Sequence, residues 1–405
     1  MPSMAMTKKS ATKVLRHKYY FKKTKTLRLS TFVAIKKPLQ LCISVTLNLC
    51  KILYNFVPLQ LCTLKAKTYL YNMILVTGGT GLVGAHLLLH LIENGENVRA
   101  IYRTEKNIEK TKSVFDLYKK AHLFEKINWL EADILDIPSL ESAFIDIKQV
   151  YHCAAFISFD PKDEEILRKT NIEGTANMVN FAIAKEIEKF CYISSIAALG
   201  DIAAHETHIT EETDWNPEKP HSDYAISKYG AEMEVWRAHQ EGLNVIIVNP
   251  GVILGPPKMM DIFNEGSSEI YRKVSKGLPF FTLGSTGFIT VDDVVKTSFE
   301  LMKSEIKNER FTLIADNTIF KDLLNTVADA LKVKRPHIHA TPFLMNVLWM
   351  TDGIFSTLFF RKRSITKATA KASYSKNLYS NEKIKTALRT VFTDIHQYII
   401  DSSKL

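Results

Sequence analysis

The chain has 405 residues, of which 46% are hydrophobic, enough for one large domain or two coupled domains. Its net charge is +10, but 14 of the Lys and Arg residues lie in residues 1–72, which contain no Asp, Glu or Gly. The remaining 333 residues carry 39 basic and 43 acidic side chains and are mildly acidic. This distribution does not support a basic nucleic-acid-binding surface there.

Residues 1–72 also repeat the pentapeptide PLQLC, at 38–42 and 58–62. We interpret this basic, acid-free leader as sequence outside the native protein, such as an upstream stretch read from a wrongly placed start codon, with the functional protein beginning at or near Met73. Two alternatives stay open: an organelle targeting leader, and a membrane anchor over residues 41–62, although Pro58 would break its helix. In each case we expect the leader to be disordered or to pack loosely outside the core.

Cysteine usage bears on the compartment. Three of the five cysteines lie in the leader, and Cys153 and Cys191 stand in apolar runs without the spacing of a disulfide framework or a zinc site. We therefore expect a reducing, cytoplasmic compartment and no metal site.

From Met73 onward, short apolar runs alternate with segments of helical length, such as 82–95 and 164–186. The apolar runs predict strands at 73–77, 97–102, 127–132, 149–155, 189–194 and 244–249. Strict alternation predicts right-handed crossovers and a doubly wound parallel α/β sheet, a Rossmann domain over residues 73–255. From residue 256 the alternation loosens, with an apolar stretch at 287–295 and a strand-like run at 310–315. This predicts a smaller substrate-binding lobe over 256–405, with some segments returning to the main sheet.

The first strand leads into the glycine-rich stretch TGGTGLVG (77–84), in which Gly78, Gly81 and Gly84 stand three apart. Such glycines permit a tight turn, let the backbone approach a pyrophosphate and let the following helix pack closely. Together with Thr80 and the helix-opening Leu82 and Val83, they predict a dinucleotide-binding turn at a helix N-terminus.

The end of the second strand bears on which dinucleotide binds. A carboxylate there would bind the ribose 2′-hydroxyl of NAD. The strand instead ends with Tyr102 and Arg103, and a guanidinium suits the 2′-phosphate of NADP. The alternative is a solvated surface arginine. NADP(H) is therefore favoured over NAD(H).

The stretch SDYAISKYGAE (222–232) places Tyr224 and Lys228 four residues apart, on one face of a helix. An unperturbed tyrosine is a weak acid with a pKa of about 10, and a lysine cation nearby favours its phenolate. The fifth predicted strand ends at Ser194 and Ser195, at the sheet edge where ligands of such folds bind. These residues predict a serine, tyrosine and lysine site; an ordinary surface helix is the alternative for the Tyr-Lys pair.

The sequence resembles the extended short-chain dehydrogenase/reductase family, the NAD(P)-dependent epimerase/dehydratase superfamily, over about Met73 to Leu405. VRAIYR (98–103) and SSIAALG (194–200) are similar to the dihydroflavonol-4-reductase-like and 3β-hydroxysteroid-dehydrogenase-like branch. The motifs that carry the wider resemblance are TGGTGLVG, EADILD (131–136), YHCAA (151–155), NIEGT (171–175), YISSIAALG (192–200), YAISK (224–228), NPGVILGP (249–256) and ITVDDVV (289–295).

The resemblance implies a role for individual residues. Ser195, rather than Ser194, is the expected catalytic serine, Tyr224 the acid/base, and Lys228 the group that assists Tyr224 and binds the nicotinamide ribose. The resemblance also places the cofactor along residues at several strand ends: Asp133 and Ile134 at the adenine, Ala154 and Ala155 along the cofactor, and Pro250, Gly251 and Val252 near the nicotinamide.

Three functions stay open. The first is an NAD(P)-dependent oxidoreductase that transfers hydride reversibly between carbonyl and alcohol on a bulky small molecule. The second is an NAD-dependent nucleotide-sugar epimerase or dehydratase, although a dehydratase would need an acid beside the catalytic serine and SSIAAL has none. The third is a non-catalytic dinucleotide-binding protein. The expected partner is a small-molecule carbonyl or alcohol, without nucleic acid, and a homodimer is also considered.

The segment 342–360 is mostly apolar, and residues 361–376 contain six basic residues and no acids. Asp352 and Gly353 near the middle of the apolar segment argue against a membrane span. We consider two interpretations: a helix pair that caps the substrate pocket, and a peripheral membrane contact through residues 342–376.

Overall fold

The computed structural model of the protein describes residues 73–202, 206–263, 266–358 and 366–405. The predictions about the leader, residues 1–72, therefore lie outside the described residues. The strands are β1 (Met73–Thr77), β2 (Asn97–Tyr102), β3 (Asn128–Glu131), β4 (Ile147–His152), β5 (Lys189–Ile193), β6 (Val245–Pro250), β7 (Val252–Leu254), β8 (Phe280–Phe281), β9 (Ser285–Thr290), β10 (Glu309–Leu313), β11 (Asp316–Ile319) and β12 (Ile338–His339).

Helices fill most of the connections between these strands. The α-helices are α1 (Leu82–Glu93), α2 (Ile108–Leu117), α3 (Ile137–Ala143), α4 (Glu164–Leu167), α5 (Gly174–Ala184), α6 (Asp223–Gln240), α7 (Ser267–Ser275), α8 (Val291–Lys303), α9 (Phe320–Ala330), α10 (Pro342–Leu358), α11 (Lys367–Tyr374), α12 (Glu382–Leu388) and α13 (Ile395–Ser402). Short 3₁₀ helices lie at Glu105–Asn107, Ala121–Lys126, Pro161–Asp163, Ile196–Ala198 and Pro257–Asp261, and a π-helical segment spans Arg168–Glu173.

The described residues form a central sheet of seven strands in the order β3-β2-β1-β4-β5-β6-β10. Every neighbouring pair in it is parallel. The strand order reverses between β1 and β4, which is where the carboxyl ends of a doubly wound sheet leave room for a ligand. The predicted doubly wound parallel α/β fold is confirmed.

Helices cover both faces of this sheet because successive side chains of a buried strand point to opposite sides. In β1, Ile74 and Val76 join one apolar cluster with α1, α2 and α8, whereas Leu75 joins another with α3, α5 and α6. The site residues at the strand ends therefore stand on a layer that is fixed from both sides.

Residues from Val252 onward build a third apolar cluster, and one strand of this region also joins the main sheet. Leu254, Tyr271 and Phe288 are buried there with α9 and α13. The small sheet β11-β9-β7 belongs to this region, and β12 pairs with β8. β10 lies beside β6 in the central sheet. The division into a Rossmann domain over 73–255 and a lobe over 256–405 stays a prediction, because all described residues belong to one compact unit.

The structure differs from the expected elements in three places. The fourth strand ends at His152, three residues before the predicted end at residue 155. The apolar stretch 287–295 is divided between the end of β9 and the start of α8, where Thr290 caps the helix by accepting from the N–H of Asp293 at 3.0 Å. The helical segment 164–186 contains a π-helical turn, a feature that is frequent at functional sites.

Candidate active site

The glycine turn after β1 packs directly against the end of β4. Gly78 has a φ of +67°, a left-handed conformation that favours glycine, and a Cβ there would lie 2.7 Å from the backbone N of Ala154. The N–H of Gly81 donates to the carbonyl oxygen of Gly78 at 2.9 Å and closes the turn. A Cβ on Gly84 would lie 2.2 Å from that same carbonyl oxygen. Helix α1 thus approaches the turn at a distance that only glycine allows.

Helix α1 starts at this turn with its first N–H groups uncapped. Its N-cap is Gly81, which has no side chain, and its first turn contains no acidic residue. Thr80, Leu82 and Val83 are half-buried beside it. Uncapped N–H groups and the positive end of the helix dipole favour an anionic ligand. The turn therefore fits the pyrophosphate of a dinucleotide.

The residues expected near the nicotinamide lie at the same carboxyl edge. Pro250 ends β6, and Val252 begins β7. Gly251 between them has no room for a side chain, because a Cβ would lie 2.3 Å from the carbonyl oxygen of Gly287. The crossing from the main sheet to the small sheet is consequently as tight as the phosphate turn.

The residues expected along the rest of the cofactor follow β3 and β4. Ala154 and Ala155 are half-buried directly beyond β4. Asp133 is half-buried beyond β3, where its carboxylate accepts from the N–H of Leu135 at 2.9 Å, and Ile134 is buried. No group of three or more His, Cys, Asp or Glu side chains that could hold a metal ion occurs among the described residues.

Arg103 comes directly after β2, at the rim of this edge. Its side chain is exposed, and it forms no hydrogen bond or ion pair with another residue in the part of the chain that the structure describes. Its guanidinium group is therefore accessible to an anionic ligand.

The two serines after β5 differ in what their hydroxyl groups do. Ser194 is buried, and its hydroxyl donates to Glu232 Oε1 at 2.5 Å. Ser195 is half-buried, and its oxygen accepts from the N–H of Ala197 at 3.1 Å. This arrangement leaves the Ser195 hydroxyl hydrogen available to a ligand, whereas that of Ser194 is already bonded inside the protein.

Helix α6 carries the other two candidate catalytic residues. Ser222 caps the helix by accepting from the N–H of Ala225 at 3.2 Å. Tyr224 and Lys228 follow one turn apart on the same face. The Tyr224 ring is half-buried and meets the edge of the Phe159 ring at a centroid distance of 5.5 Å.

Lys228 is buried, with 3% of its surface exposed. Its Nζ donates to the carbonyl oxygen of Ile193 at 2.9 Å and to Tyr192 Oη at 3.3 Å, both on β5. Burial lowers the pKa of Lys228 to about 8, while the nearby Glu232 opposes that change. The lysine thus links α6 to β5, the strand that ends two residues before Ser195.

His152, at the end of β4, has a structural rather than a proton-transfer environment. Its ring nitrogens lie 2.7 Å from Thr77 Oγ1 and 3.0 Å from Thr175 Oγ1, and the side chain is completely buried. Burial and, to a smaller extent, the positive charge of Lys228 lower the pKa of His152 to about 3. Burial also raises the pKa of Cys153 to about 12. Near neutral pH the imidazole is therefore uncharged and the thiol is protonated.

Asn171 is a site residue that the sequence analysis did not single out. It lies in the π-helical turn, is 1% exposed and forms two hydrogen bonds with the backbone of Phe156, at 2.7 and 2.9 Å. Its Nδ2 also donates to Ser227 Oγ on α6 at 2.9 Å. Asn171 thus fixes the loop after β4 against the helix that bears Tyr224. The NIEGT motif was the available signal, but no role for its asparagine follows from the pattern alone.

A doubly wound parallel sheet, with an uncapped glycine turn at its switch point and a buried lysine beside a tyrosine, defines a dinucleotide-binding α/β enzyme. Comparison with known proteins makes the class specific. Residues 74–313, more than half of the chain, match the NAD dependent epimerase/dehydratase family. The chain belongs to this family and is an NAD(P)-dependent oxidoreductase of the reductase or dehydrogenase type.

Individual relatives are similar over most of their length. The chain is 26% identical over 296 residues to sterol demethylase protein B of Methylococcus capsulatus, covering 72% of this chain and 84% of that protein. It is 29% identical over 263 residues to anthocyanidin reductase of Arabidopsis thaliana, covering 60% and 76%. The crystal structure of yeast methylglyoxal/isovaleraldehyde reductase Gre2 complexed with NADPH shares the fold, with a TM-score of 0.62 and 20% identity over 82% of this chain and 97% of that one.

Replacing Gly84 with alanine tests the phosphate turn. The added Cβ would lie 2.2 Å from the carbonyl oxygen of Gly78, so either the turn or α1 must shift. We expect NADPH affinity, measured by calorimetry, to fall at least about tenfold, or 1.4 kcal/mol. Gly277→Ala is the control, because it strains a positive φ but meets nothing within 4 Å; it should lower the melting temperature and leave affinity unchanged. NADPH affinity equal to wild type in Gly84→Ala would show that the dinucleotide binds elsewhere.

Proposed function

We propose that the protein is an NADP(H)-dependent reductase or dehydrogenase that interconverts a carbonyl and an alcohol on a bulky, apolar small molecule. The observation that carries the proposal is the buried Lys228 ammonium, one helical turn from Tyr224 and bonded to β5, the strand that ends two residues before Ser195. Cytoplasmic location and a homodimer stay predictions.

The three side chains have separate tasks in this reaction. Tyr224 donates its phenolic proton to the carbonyl oxygen during reduction and takes it back from the alcohol during oxidation. Lys228 stabilises the phenolate that Tyr224 becomes after this transfer. Ser195 donates a hydrogen bond to the substrate oxygen as negative charge develops on it. Bound NADP(H) supplies or accepts the hydride.

The surface beside Tyr224 favours an apolar substrate. Phe159 is 45% exposed next to the Tyr224 ring, and Ile157 on the same loop is 37% exposed. Ile166 of α4, which packs on α6, is 47% exposed. Apolar side chains that remain exposed beside a reacting group are suited to cover a hydrophobic ligand. Such a surface supports an isoprenoid, steroid-like or polyketide-like carbonyl rather than a nucleotide sugar.

Replacing Tyr224 with phenylalanine tests the proton-transfer role. We expect turnover of NADPH with a panel of aryl and steroid-like ketones to fall about a thousandfold, with NADPH affinity little changed, because the variant lacks only the phenolic hydroxyl. Tyr229→Phe on the same helix is the matched control, since its ring stacks on Trp215 at 4.3 Å and keeps that contact. Tyr224→Phe turnover within tenfold of wild type would contradict the assignment. Activity on nucleotide sugars without net NADPH consumption would instead support the epimerase alternative.

The preference for NADP(H) is supported by the accessible Arg103 guanidinium and by the sequence at the end of β2, where Tyr102 and Arg103 stand in place of a carboxylate. Arg103→Ala should weaken NADP binding by about 1.5–3 kcal/mol, the scale of a hydrogen bond to a charged group, and leave NAD binding nearly unchanged. Calorimetric titration of both nucleotides measures this. Lys106→Ala removes a nearby exposed charge and should change both affinities little. Tighter binding of NAD than of NADP by the wild type would reject the preference.

In addition to the substrate, we propose a membrane surface as a binding partner, contacted peripherally through residues 342–376. Among the described helices, none is long and apolar enough to cross a bilayer. On α10, however, the exposed side chains Phe343, Val347 and Met350 share one face, while Asp352 and Ser356 are buried. An ordinary surface helix buries its apolar side chains and exposes its polar ones, and these residues of α10 show the reverse distribution.

The basic residues that follow α10 determine which surface fits this face. Lys367, Lys371 and Lys376 are exposed on and after α11, and residues 359–365 lie outside the described residues. Apolar side chains beside an acid-free basic segment suit an anionic lipid surface, since each lysine near it contributes about 1 kcal/mol. A second copy of the chain would bring the same positive charges together. The alternative of a helix pair over the pocket stays a prediction.

Vesicle cosedimentation tests this contact. The protein should partition onto phosphatidylserine-containing vesicles and only weakly onto phosphatidylcholine, and the triple variant Phe343→Ser, Val347→Ser, Met350→Ser should lose at least about tenfold of that binding. Val391→Ser removes an apolar side chain that is 88% exposed elsewhere and serves as the control. Unchanged partitioning of the triple variant, or a change in oligomeric state instead of vesicle binding, would reject the lipid surface.

A further inference from the structure

Glu232 is a completely buried carboxylate behind the catalytic residues. It lies on α6, one turn beyond Lys228 and two turns beyond Tyr224, and its exposed fraction is 0%. Its Oε1 accepts from Ser194 Oγ at 2.5 Å, and its Oε2 lies 3.4 Å from Nη1 of Arg310. A buried charge is tolerated only where such partners compensate the loss of water.

Asn249, next to the end of β6, connects this carboxylate with the catalytic serine. Its Nδ2 donates to Glu232 Oε1 at 2.5 Å and to the carbonyl oxygen of Ser195 at 3.0 Å. One amide group therefore holds both the backbone of Ser195 and the side chain of α6. Ser194 makes the second connection between the same two elements.

We propose that Glu232 is a positioning residue that holds the helix bearing Tyr224 and Lys228 against the strand end bearing Ser195, and that it also supplies the negative charge facing Lys228. The proposal rests on the proposed function, since it assigns Glu232 to the same site. Glu232 acts through Ser194, Asn249 and Lys228 and does not contact the reacting atoms.

The charge of Glu232 limits how far burial lowers the pKa of Lys228. Burial raises the pKa of Glu232, while the hydrogen bonds from Ser194 and Asn249 and the positive charge of Arg310 oppose this and favour the carboxylate form. Burial keeps Tyr192 and Cys153 protonated and His152 uncharged, so Glu232 is the neighbour that can supply a negative charge to Lys228 near neutral pH. The titratable groups around Lys228 are Tyr192 of β5, His152 at the end of β4 and Cys153 directly after it, and Tyr224 and Glu232, which lie four residues before and after it on its own helix.

The negative charge of Glu232 stabilises the Lys228 ammonium against the effect of burial. Burial lowers the pKa of Lys228 to about 8, and the negative charge of Glu232 raises it. Glu232→Gln keeps the shape of the side chain and removes the charge. The Lys228 ammonium is then less stable, so it loses its proton at a lower pH than in the wild type.

The Lys228 titration can be followed directly by NMR in full-length protein labelled with [ε-¹³C]lysine, with Lys228→Met used to assign the resonance. We expect the pKa of Lys228 to fall by about one unit in Glu232→Gln. Glu234→Gln is the matched control, because Glu234 pairs with Arg237 on the more exposed side of the same helix; it should leave the pKa within about 0.3 units. An equal pKa of Lys228 in Glu232→Gln and Glu234→Gln would overturn the proposal that Glu232 supplies the negative charge.

The positioning role of Glu232 is tested by measuring kcat. Asn249→Ala should lower kcat about tenfold with the KM for NADPH and the pKa of Lys228 little changed, because it loosens Ser195 without removing a charge. Asn244→Ala, just before β6, removes a hydrogen bond to the carbonyl of Glu188 and is the control. Equal kcat in these two variants would overturn the positioning role.

A third variant keeps the test decisive if Glu232→Gln does not fold. Glu232→Asp retains the charge but shortens the side chain, so it should lower kcat and leave the pKa of Lys228 near the wild-type value. A wild-type kcat in Glu232→Asp would overturn the proposal. Absence of turnover by the wild type on every ketone would contradict the proposed reaction, while the Lys228 titration would still decide the role of Glu232.

Discussion

Lys228 keeps a positive charge in a position that water hardly reaches, and the surrounding elements are arranged to make this tolerable. The carbonyl oxygen of Ile193 and the hydroxyl of Tyr192 accept its hydrogens, and Glu232 provides the opposite charge. An uncompensated ammonium in the same place would be strongly unfavourable. Because these partners come from β5 and α6, the stability of one cation ties together the two elements that carry the candidate catalytic groups.

The opposite end of the site depends on steric fit rather than charge. Gly78 and Gly84 allow the first turn, the end of β4 and helix α1 to approach within distances that no side chain permits. The N-terminus of α1 has no side-chain cap because its N-cap residue is Gly81, and the uncapped N–H groups leave room for an anion. A dinucleotide that spans both ends would thus meet backbone N–H groups at one end and a confined cation at the other.

Local chemistry explains what the sequence could predict. Buried parallel strands are apolar on nearly every residue, and the glycine turn and the Tyr224-Lys228 spacing are each complete within a few residues, so all three are legible in the chain. The contact of Ser194 with Glu232 joins residues 38 apart, and that of Asn171 with Phe156 joins a helix to a loop. Such contacts depend on how the elements pack together, and the spacing of apolar residues in the sequence does not predict that packing. Glu232 therefore resembles any other acidic helix residue until the fold is known.

The late arrival of β10 has a consequence for the growing chain. β10 pairs with β6 although α7, α8 and β9 are synthesised between them. Until residue 313 has left the ribosome, the outer edge of β6 lacks its partner, and this strand is buried at every position in the finished protein. An apolar strand with unpaired backbone groups readily pairs with other chains. A fragment that stops near residue 255 would keep that edge permanently open, so we expect it to aggregate although it contains the whole nucleotide turn and all three candidate catalytic residues.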